Sequence, residues 1–374
     1  MKVLMMDGAG FSPPYDLSLT QALVDAGAEV KLVMPDSVRA EWEDADALPP
    51  RESSRLRRAL GRVSKVVSHV RLLNKLERVV REWRPDVVHL QWLPLPLLDA
   101  RFLRSVKGRT KLVHTMHNTS LFHGTSPGVQ GWGLEESWYL FDRIIVHSEY
   151  SRRAALASGA ATERNLVVVP HGPFDHYSRF VSSSPRPIAP VTILFAGAIK
   201  PYKGLDVLVE SLPALAKATS PGSWRLMIAG HPSYPLNSLR EQVERRGLQE
   251  YVTWNLRHQS ERELGVLLGS SHIVVLPYRE IDQSGVLLAA VGVARPVVAT
   301  KVGAFPELLK HEQHGLLVAP NDANALGESL ARMVNDADLR TRCENSMRSL
   351  ACGSLRWSTI ARSTLSVYKS IHRD

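Results

Sequence analysis

Short, almost continuously apolar runs alternate along this chain with longer stretches whose apolar positions recur every three or four residues. In the first half the runs are residues 3–6, 30–34, 87–90, 112–115, 144–146 and 166–169. Each is too short for a stable helix and reads as a strand buried on both faces. Residues 17–26 have helical spacing, and Gly27 supplies a stop signal. Strand, helix, strand in repeated order predicts a parallel sheet covered by helices.

The pattern breaks once. Residues 181–190 read VSSSPRPIAP, in which Ser and Pro replace periodic apolar positions, as in an inter-domain linker. Alternation then resumes, with strands predicted at 191–196, 226–229, 252–254, 273–276, 297–299 and 316–318. Helices are predicted at 206–218 and 239–246. The expectation is an α/β protein of two Rossmann-like domains, at 1–180 and 185–355, facing a central cleft. A length of 374 residues suits two such domains. In open parallel sheets ligands bind beyond the carboxyl ends of strands, so the loops that follow strands are where chemistry is sought.

Charge adds one feature. The formal net charge is +9, and the stretch from Arg51 to Arg84 holds eleven Lys and Arg against three Glu. Its apolar residues, among them Leu56, Leu60, Val63, Val67, Val70, Leu73, Leu76 and Val80, keep helical spacing. A basic amphipathic helix suits an anionic membrane surface, and it equally suits a solvated face packed on its own domain. No nucleic acid is expected as partner, because the charge lies away from aromatic residues. No apolar run approaches the ~20 residues of a membrane span. Residues 1–10, MKVLMMDGAG, read as a first strand and loop and not as a leader. The expected location is cytoplasmic. Cys343 and Cys352 offer neither a disulfide framework nor zinc-ligand spacing.

Two loops could carry chemistry. The first, after the strand at 191–196, contains Gly197, Lys200, Lys203 and Gly204, with a helix following. Glycines permit close approach to backbone, lysines supply charge, and a helix start favours anions, so the set suits a diphosphate. An ordinary strand-to-helix turn with surface lysines has the same composition. The second loop, after the strand at 273–276, runs through Glu280, Gln283, Ser284 and Gly285 into an apolar helix. It could hold a sugar or phosphate, or Ser284 could simply cap the helix.

The order and spacing of these segments resemble the family 4 glycosyltransferases, which have the GT-B fold. The resemblance rests on GAIKPYKG at 197–204, YREIDQSGVL at 278–287 and RPVVATKVGAFPE at 295–307. RPDVVHL at 84–90, HTMHN at 114–118, VVPHG at 168–172 and HGLLVAP at 314–320 add to it. It implies that Lys203 neutralises the diphosphate of a nucleotide-sugar donor and that Gln283, Ser284, Gly285, Val286 and Leu287 hold the donor sugar and distal phosphate. It further implies that Gly8 and Gly10 form the glycine-bearing first loop, that His117 lies near the reaction centre, and that a C-terminal helix at 357–372 crosses back to the first domain. Gly230 and His231 are placed at a strand end beside the donor, and Arg257 near the base. The chemistry implied is retaining transfer to a hydroxyl of a saccharide or lipid-linked acceptor, in surface polysaccharide assembly. The donor is a substrate, and no cofactor is expected.

Two departures stand out. Ala198 replaces the arginine common in the first loop, with Lys200 two residues on. The family's E-x7-E motif falls at Ile281 and Ala289, with Glu280 one place early. A Q-S-G-V-L subgroup accounts for the second departure. A catalytically inactive binding partner of another transferase is the alternative reading, and nucleic-acid glycosylation, epimerisation and phosphorolysis are further ones. His114 and His117 sit three apart without a further ligand set, so no metal is expected. His114 reads as structural, and His171 as either cleft-facing or loop-closing. Trp92, Trp132 and Trp138 read first as core and secondly as sugar-stacking faces.

Overall fold

The computed structural model describes residues 1–8, 10–35, 55–119, 134–182 and 186–371, the side chains of 55–65 and 134–135 excepted. Among the described residues there are two six-stranded sheets. The first is built from β1 (Lys2–Met6), β2 (Glu29–Val33), β3 (Val87–Leu90), β4 (Lys111–Thr115), β5 (Arg143–Val146) and β6 (Leu166–Val168). The second uses β7 (Val191–Ala196), β8 (Trp224–Ala229), β9 (Val252–Asn255), β10 (Ile273–Leu276), β11 (Val297–Thr300) and β12 (Gly315–Val318). Every paired neighbour runs parallel. Each strand lies within two residues of its predicted bounds, because a run apolar on both faces leaves little else for the backbone to form.

The chain divides into two compact units, Met1–His171 with Trp357–Asp374, and Gly172–Arg356. The division falls ahead of the Ser/Pro-rich stretch at 181–190. The short helix Asp175–Phe180 packs in the second unit, where the helix Glu261–Ser270 carries Gly265. A Cβ there would stand 2.5 Å from Phe180 Cδ2, so the glycine is what admits the ring.

In the first unit the sheet order is β2-β1-β3-β4-β5-β6. Leu4, Met6, Val88, Leu90 and Leu112 fill one core with Leu73, Leu76 and Val80 of the helix Arg55–Trp83. Burying each such side chain contributes roughly 1.5–3 kcal/mol. The same helix leaves Val66, Val67, Val70, Arg71, Lys75, Arg78 and Arg81 exposed. Arg51 and the side chains of Arg55 to Lys65 lie outside the described residues, as does Trp132. The C-terminal helix Trp357–Ile371 belongs to this unit, where Tyr368 Oη lies 2.6 Å from His89 Nδ1.

In the second unit the order is β12-β11-β10-β7-β8-β9. Alternate residues of β7 feed cores on opposite faces, Ile193 and Phe195 on one, Leu194 and Ala196 on the other. Strand order reverses between β1 and β3 in the first sheet and between β7 and β10 in the second. At such a reversal the loops leave in opposite directions and open a crevice at the carboxyl edge. None of the described helices is long and apolar enough to cross a membrane.

Candidate functional site

The loops that leave β7 and β10 start on adjacent strands and are stapled to each other. The Arg279 amide donates to the Tyr202 carbonyl oxygen at 2.7 Å. Its guanidinium forks onto Asp206 at 2.9 and 2.6 Å. Burial works upward on the Asp206 carboxyl, but the Arg279 hydrogen bonds and charge outweigh it and hold the group below its usual range. Gly204, at φ +67°, passes so close to the second loop that a Cβ would stand 2.0 Å from the Pro277 carbonyl oxygen. The end of β11 and the segment after it buttress the pair. Thr300 donates to the Tyr278 carbonyl oxygen at 2.6 Å, and a Cβ on Gly303 would lie 1.6 Å from the Ile281 carbonyl oxygen.

Lys203 sits where these loops converge. A Cβ on Gly197 would be 2.9 Å from Lys203 Nζ and 3.2 Å from Val286 Cγ2, so Gly197, Lys203 and Val286 share one small space. Gly230 closes it on the β8 side, where a Cβ would lie 2.0 Å from the Gly197 carbonyl oxygen. The Ile199 amide donates to the His231 carbonyl oxygen at 2.9 Å, which brings His231 beside the first loop. The Lys203 side chain is 7% exposed, its ammonium is 5.5 Å from the Tyr278 ring centre, and no carboxylate pairs with it among the described residues. Burial pushes its pKa down. A desolvated cation without a counter-ion is costly to keep, and an anionic ligand removes that cost.

The helix Gly285–Gly292 begins at the same place. Ser284 caps it by accepting from the Leu287 amide at 3.2 Å, and the Leu287 side chain is in the core. Gln283 is half-buried, Gly285 is exposed, and Lys200 and Glu280 are exposed. Ile281 and Ala289, which occupy the positions of the two family glutamates, lie in the apolar core. Arg257 is engaged elsewhere, within its own loop. It forks onto Glu263, with Nη1 3.0 Å from Oε2, and Glu263 in turn closes the capping box of the helix Glu261–Ser270.

In the first unit the loop after β1 is tied by Asp7, which accepts from the Gly10 and Ser12 amides at 2.8 and 3.0 Å. Gly10 is at φ +64°, and a Cβ on Gly8 would stand 3.1 Å from His69 Cε1. Burial and the neighbouring Asp7 raise Asp16 well above the usual carboxylate range. Trp92 links this loop to His117. It donates to Ser12 Oγ at 2.9 Å and stacks on the His117 ring at 5.0 Å. His117 is half-buried, and its Nε2 lies 3.1 Å from Gln91 Oε1. Burial, with His147 and His171 as neighbours, lowers its pKa well below the usual value. His114 is buried, stacked on Phe141, with Nδ1 3.0 Å from the Leu90 carbonyl oxygen. Trp138 lies in the core.

Several groupings here carried no signal in the sequence. His69 and Asp99 form a buried pair at 2.6 Å, but they are thirty residues apart and each looks like one polar residue on a helix. His147 and His171 gather with His117 because β4, β5 and β6 are consecutive in the sheet and each is followed by a histidine. That repetition is legible only once the strand order is known.

Two family models match the chain, "Glycosyltransferase Family 4" over residues 17–185 and "Glycosyl transferases group 1" over residues 190–336. Glycogen synthase of Mycobacterium tuberculosis is 26% identical over 303 residues, covering 78% of this chain and 70% of that protein. A phosphatidyl-myo-inositol mannosyltransferase of Mycobacterium leprae is 28% identical over 303 residues, covering 78% and 76%. Among solved structures, Anabaena HepE in complex with UDP and glucose superposes with a TM-score of 0.70 at 18% identity, covering 99% of this chain and 100% of that one. That likeness identifies the fold as GT-B.

Proposed function

We propose that this chain, which belongs to the family 4 glycosyltransferases, moves a sugar from a nucleoside diphosphate sugar to a hydroxyl acceptor, with the diphosphate held against Lys203. The observation that carries this reading is the buried ammonium without a carboxylate partner among the described residues, beside Gly197 at the strand-order reversal of the second sheet. As the sugar–phosphate bond breaks, negative charge grows on the leaving diphosphate. A fixed, desolvated cation stabilises that charge more in the transition state than in the ground state. The start of the helix Gly285–Gly292 adds oriented amides at the same place.

UDP in the HepE complex supports a uridine diphosphate donor, and the hexosyl character of both named relatives supports a hexose. Ala289 being in the core removes the usual ribose carboxylate, and the exposed Glu280 is the nearest substitute in sequence. The transfer retains anomeric configuration through attack on the face that the leaving phosphate departs from, with that phosphate taking the acceptor proton. The acceptor is a lipid-linked saccharide of surface polysaccharide assembly, reached from the cytoplasmic membrane face. The exposed Val66, Val67 and Val70 beside Arg71, Lys75 and Arg78 support that placement.

Release of nucleoside diphosphate from a panel of nucleotide sugars tests the reading. Turnover of one of them, lost in Lys203→Met, supports it. Binding without turnover against every donor and acceptor supports instead the inactive-partner reading, which Ala198 and the buried Ala289 favour.

A further inference from the structure

We propose that Tyr278 is a positioning residue for the donor: the face of its ring, in place of a carboxylate, holds the Lys203 ammonium where the diphosphate is to bind. This role rests on the donor reading above. Lys203 Nζ lies over the Tyr278 ring, 5.5 Å from its centre. A cation over a ring face within about 6 Å of the centre is attracted by the negative π surface, and more strongly as water is removed. Lys203 is buried, and no carboxylate pairs with it among the described residues. On its other side a Cβ on Gly197 would stand 2.9 Å from Nζ, so the ammonium lies between an aromatic face and bare backbone.

The ring itself is fixed. Tyr278 is buried, Thr300 Oγ1 donates to its carbonyl oxygen at 2.6 Å, and Phe305 packs with ring centres 5.7 Å apart. Tyr202 meets it at 6.0 Å with the planes at 90°. Tyr202 precedes Lys203 in the turn Pro201–Lys203. The next residue, Arg279, donates to the Pro201 and Tyr202 carbonyl oxygens at 2.9 and 2.7 Å. Residues 278 and 279 therefore grip the turn that carries Lys203 through both rings and backbone, and they tie it to β11. A cation placed in advance loses less freedom when its anion arrives. The hydroxyl does not supply the attraction. Burial pushes its pKa up, so no phenolate faces the ammonium. Tyr278 Oη has no hydrogen-bond partner among the described residues, so its removal leaves no other polar group stranded.

The test uses the full chain with lysine labelled at the ε-carbon, and UDP as the probe. The Lys203 signal is the one absent from Lys203→Met. In the wild type its ε-methylene protons should be shifted upfield by the ring above which they lie. Tyr278→Leu removes the π face. It should weaken proton binding at Lys203 about 10-fold, because only the charged form loses an attraction. Its UDP affinity should fall about 10-fold at pH 7.5 and further at pH 9, where more of the lysine is neutral. Tyr278→Phe keeps the face, and should titrate as the wild type does and bind UDP within about two-fold of it. A tyrosine that only fills space predicts the same Lys203 titration in both variants. Circular dichroism identifies a leucine variant that fails to fold, and the wild-type proton shift and Tyr278→Phe then decide. Unshifted ε-methylene protons, a wild-type Lys203 titration in folded Tyr278→Leu, or loss of UDP affinity in Tyr278→Phe would overturn the proposal. Undiminished UDP affinity in Lys203→Met overturns the donor reading and this role with it. Loss of affinity there but not in folded Tyr278→Leu overturns this role alone.

Discussion

Replacing Lys203 by methionine separates what the ammonium does for the fold from what it does for the ligand. The methionine keeps most of the apolar stem and removes the charge. In the apo protein the ammonium is buried and unpaired among the described residues, so its loss should stabilise the second unit by on the order of 1 kcal/mol. For a unit of this length that is about 2–4 °C in Tm. With a nucleoside diphosphate at 100 times its Kd, the wild type gains about 2.7 kcal/mol, or roughly 5–10 °C. A charge-assisted contact is worth about 2 kcal/mol, so the variant should bind about 30-fold more weakly. At the same ligand concentration its gain falls to about 0.9 kcal/mol, roughly 2–4 °C. Differential scanning fluorimetry with and without UDP reads both numbers. The pH dependence supplies a third. Because the folded-state pKa of Lys203 is lowered, its penalty is full at neutral pH and is relieved as pH climbs toward 10.5, where the unfolded chain also deprotonates. Lys203→Met should lack that relief. A variant with lower apo Tm and an undiminished UDP shift would refute the assignment, since Lys203 would then be a structural lysine.

Other outcomes follow from the same contacts. Gly230→Ala should destabilise by more than about 2 kcal/mol in urea unfolding, because its Cβ would meet the Gly197 carbonyl oxygen at 2.0 Å, while Gly247→Ala, at φ +67° with open space around it, should cost only about 1 kcal/mol. The first unit should lose stability on acidification from pH 6.5 toward 4. Burial lowers His89 to about 3 and His114 and His147 to about 4, so the unfolded chain takes up protons there and the folded one does not. Each contributes up to about 1.4 kcal/mol per pH unit, opposed in part by the raised Asp16 and Asp99. Calorimetry at pH 7 and pH 5 checks this, and an unchanged Tm would contradict it. Reversing Arg71, Lys75, Arg78 and Arg81 to Glu should abolish flotation with anionic liposomes while leaving turnover of a soluble donor unchanged; persistent flotation counts against membrane docking through this helix.

The strands and the loops that follow β7 and β10 were legible in the sequence because their signals are local. A run apolar on both faces marks β7 and β10, and glycines mark the turns that follow. The sequence also placed Gly197, Lys203 and Ser284 in the segments that follow those strands. What it could not supply was distance. Whether Lys203 was a surface lysine or a buried one depended on Arg279 pulling the second loop onto Asp206, a contact across seventy-three residues. Arg257 read as a donor residue, yet its local environment gives it to Glu263 six residues on. His147 drew no reading, and His171 read only as cleft-facing or loop-closing, because each is a lone histidine until the sheet sets β4, β5 and β6 side by side.

A crystal of the protein soaked with UDP, solved by difference density, tests the assignment of the donor site most directly. The diphosphate should lie within hydrogen-bonding distance of Lys203 Nζ and of the amides that open the helix Gly285–Gly292. Nucleotide bound elsewhere on the second unit, with Lys203 still unpaired, would contradict it.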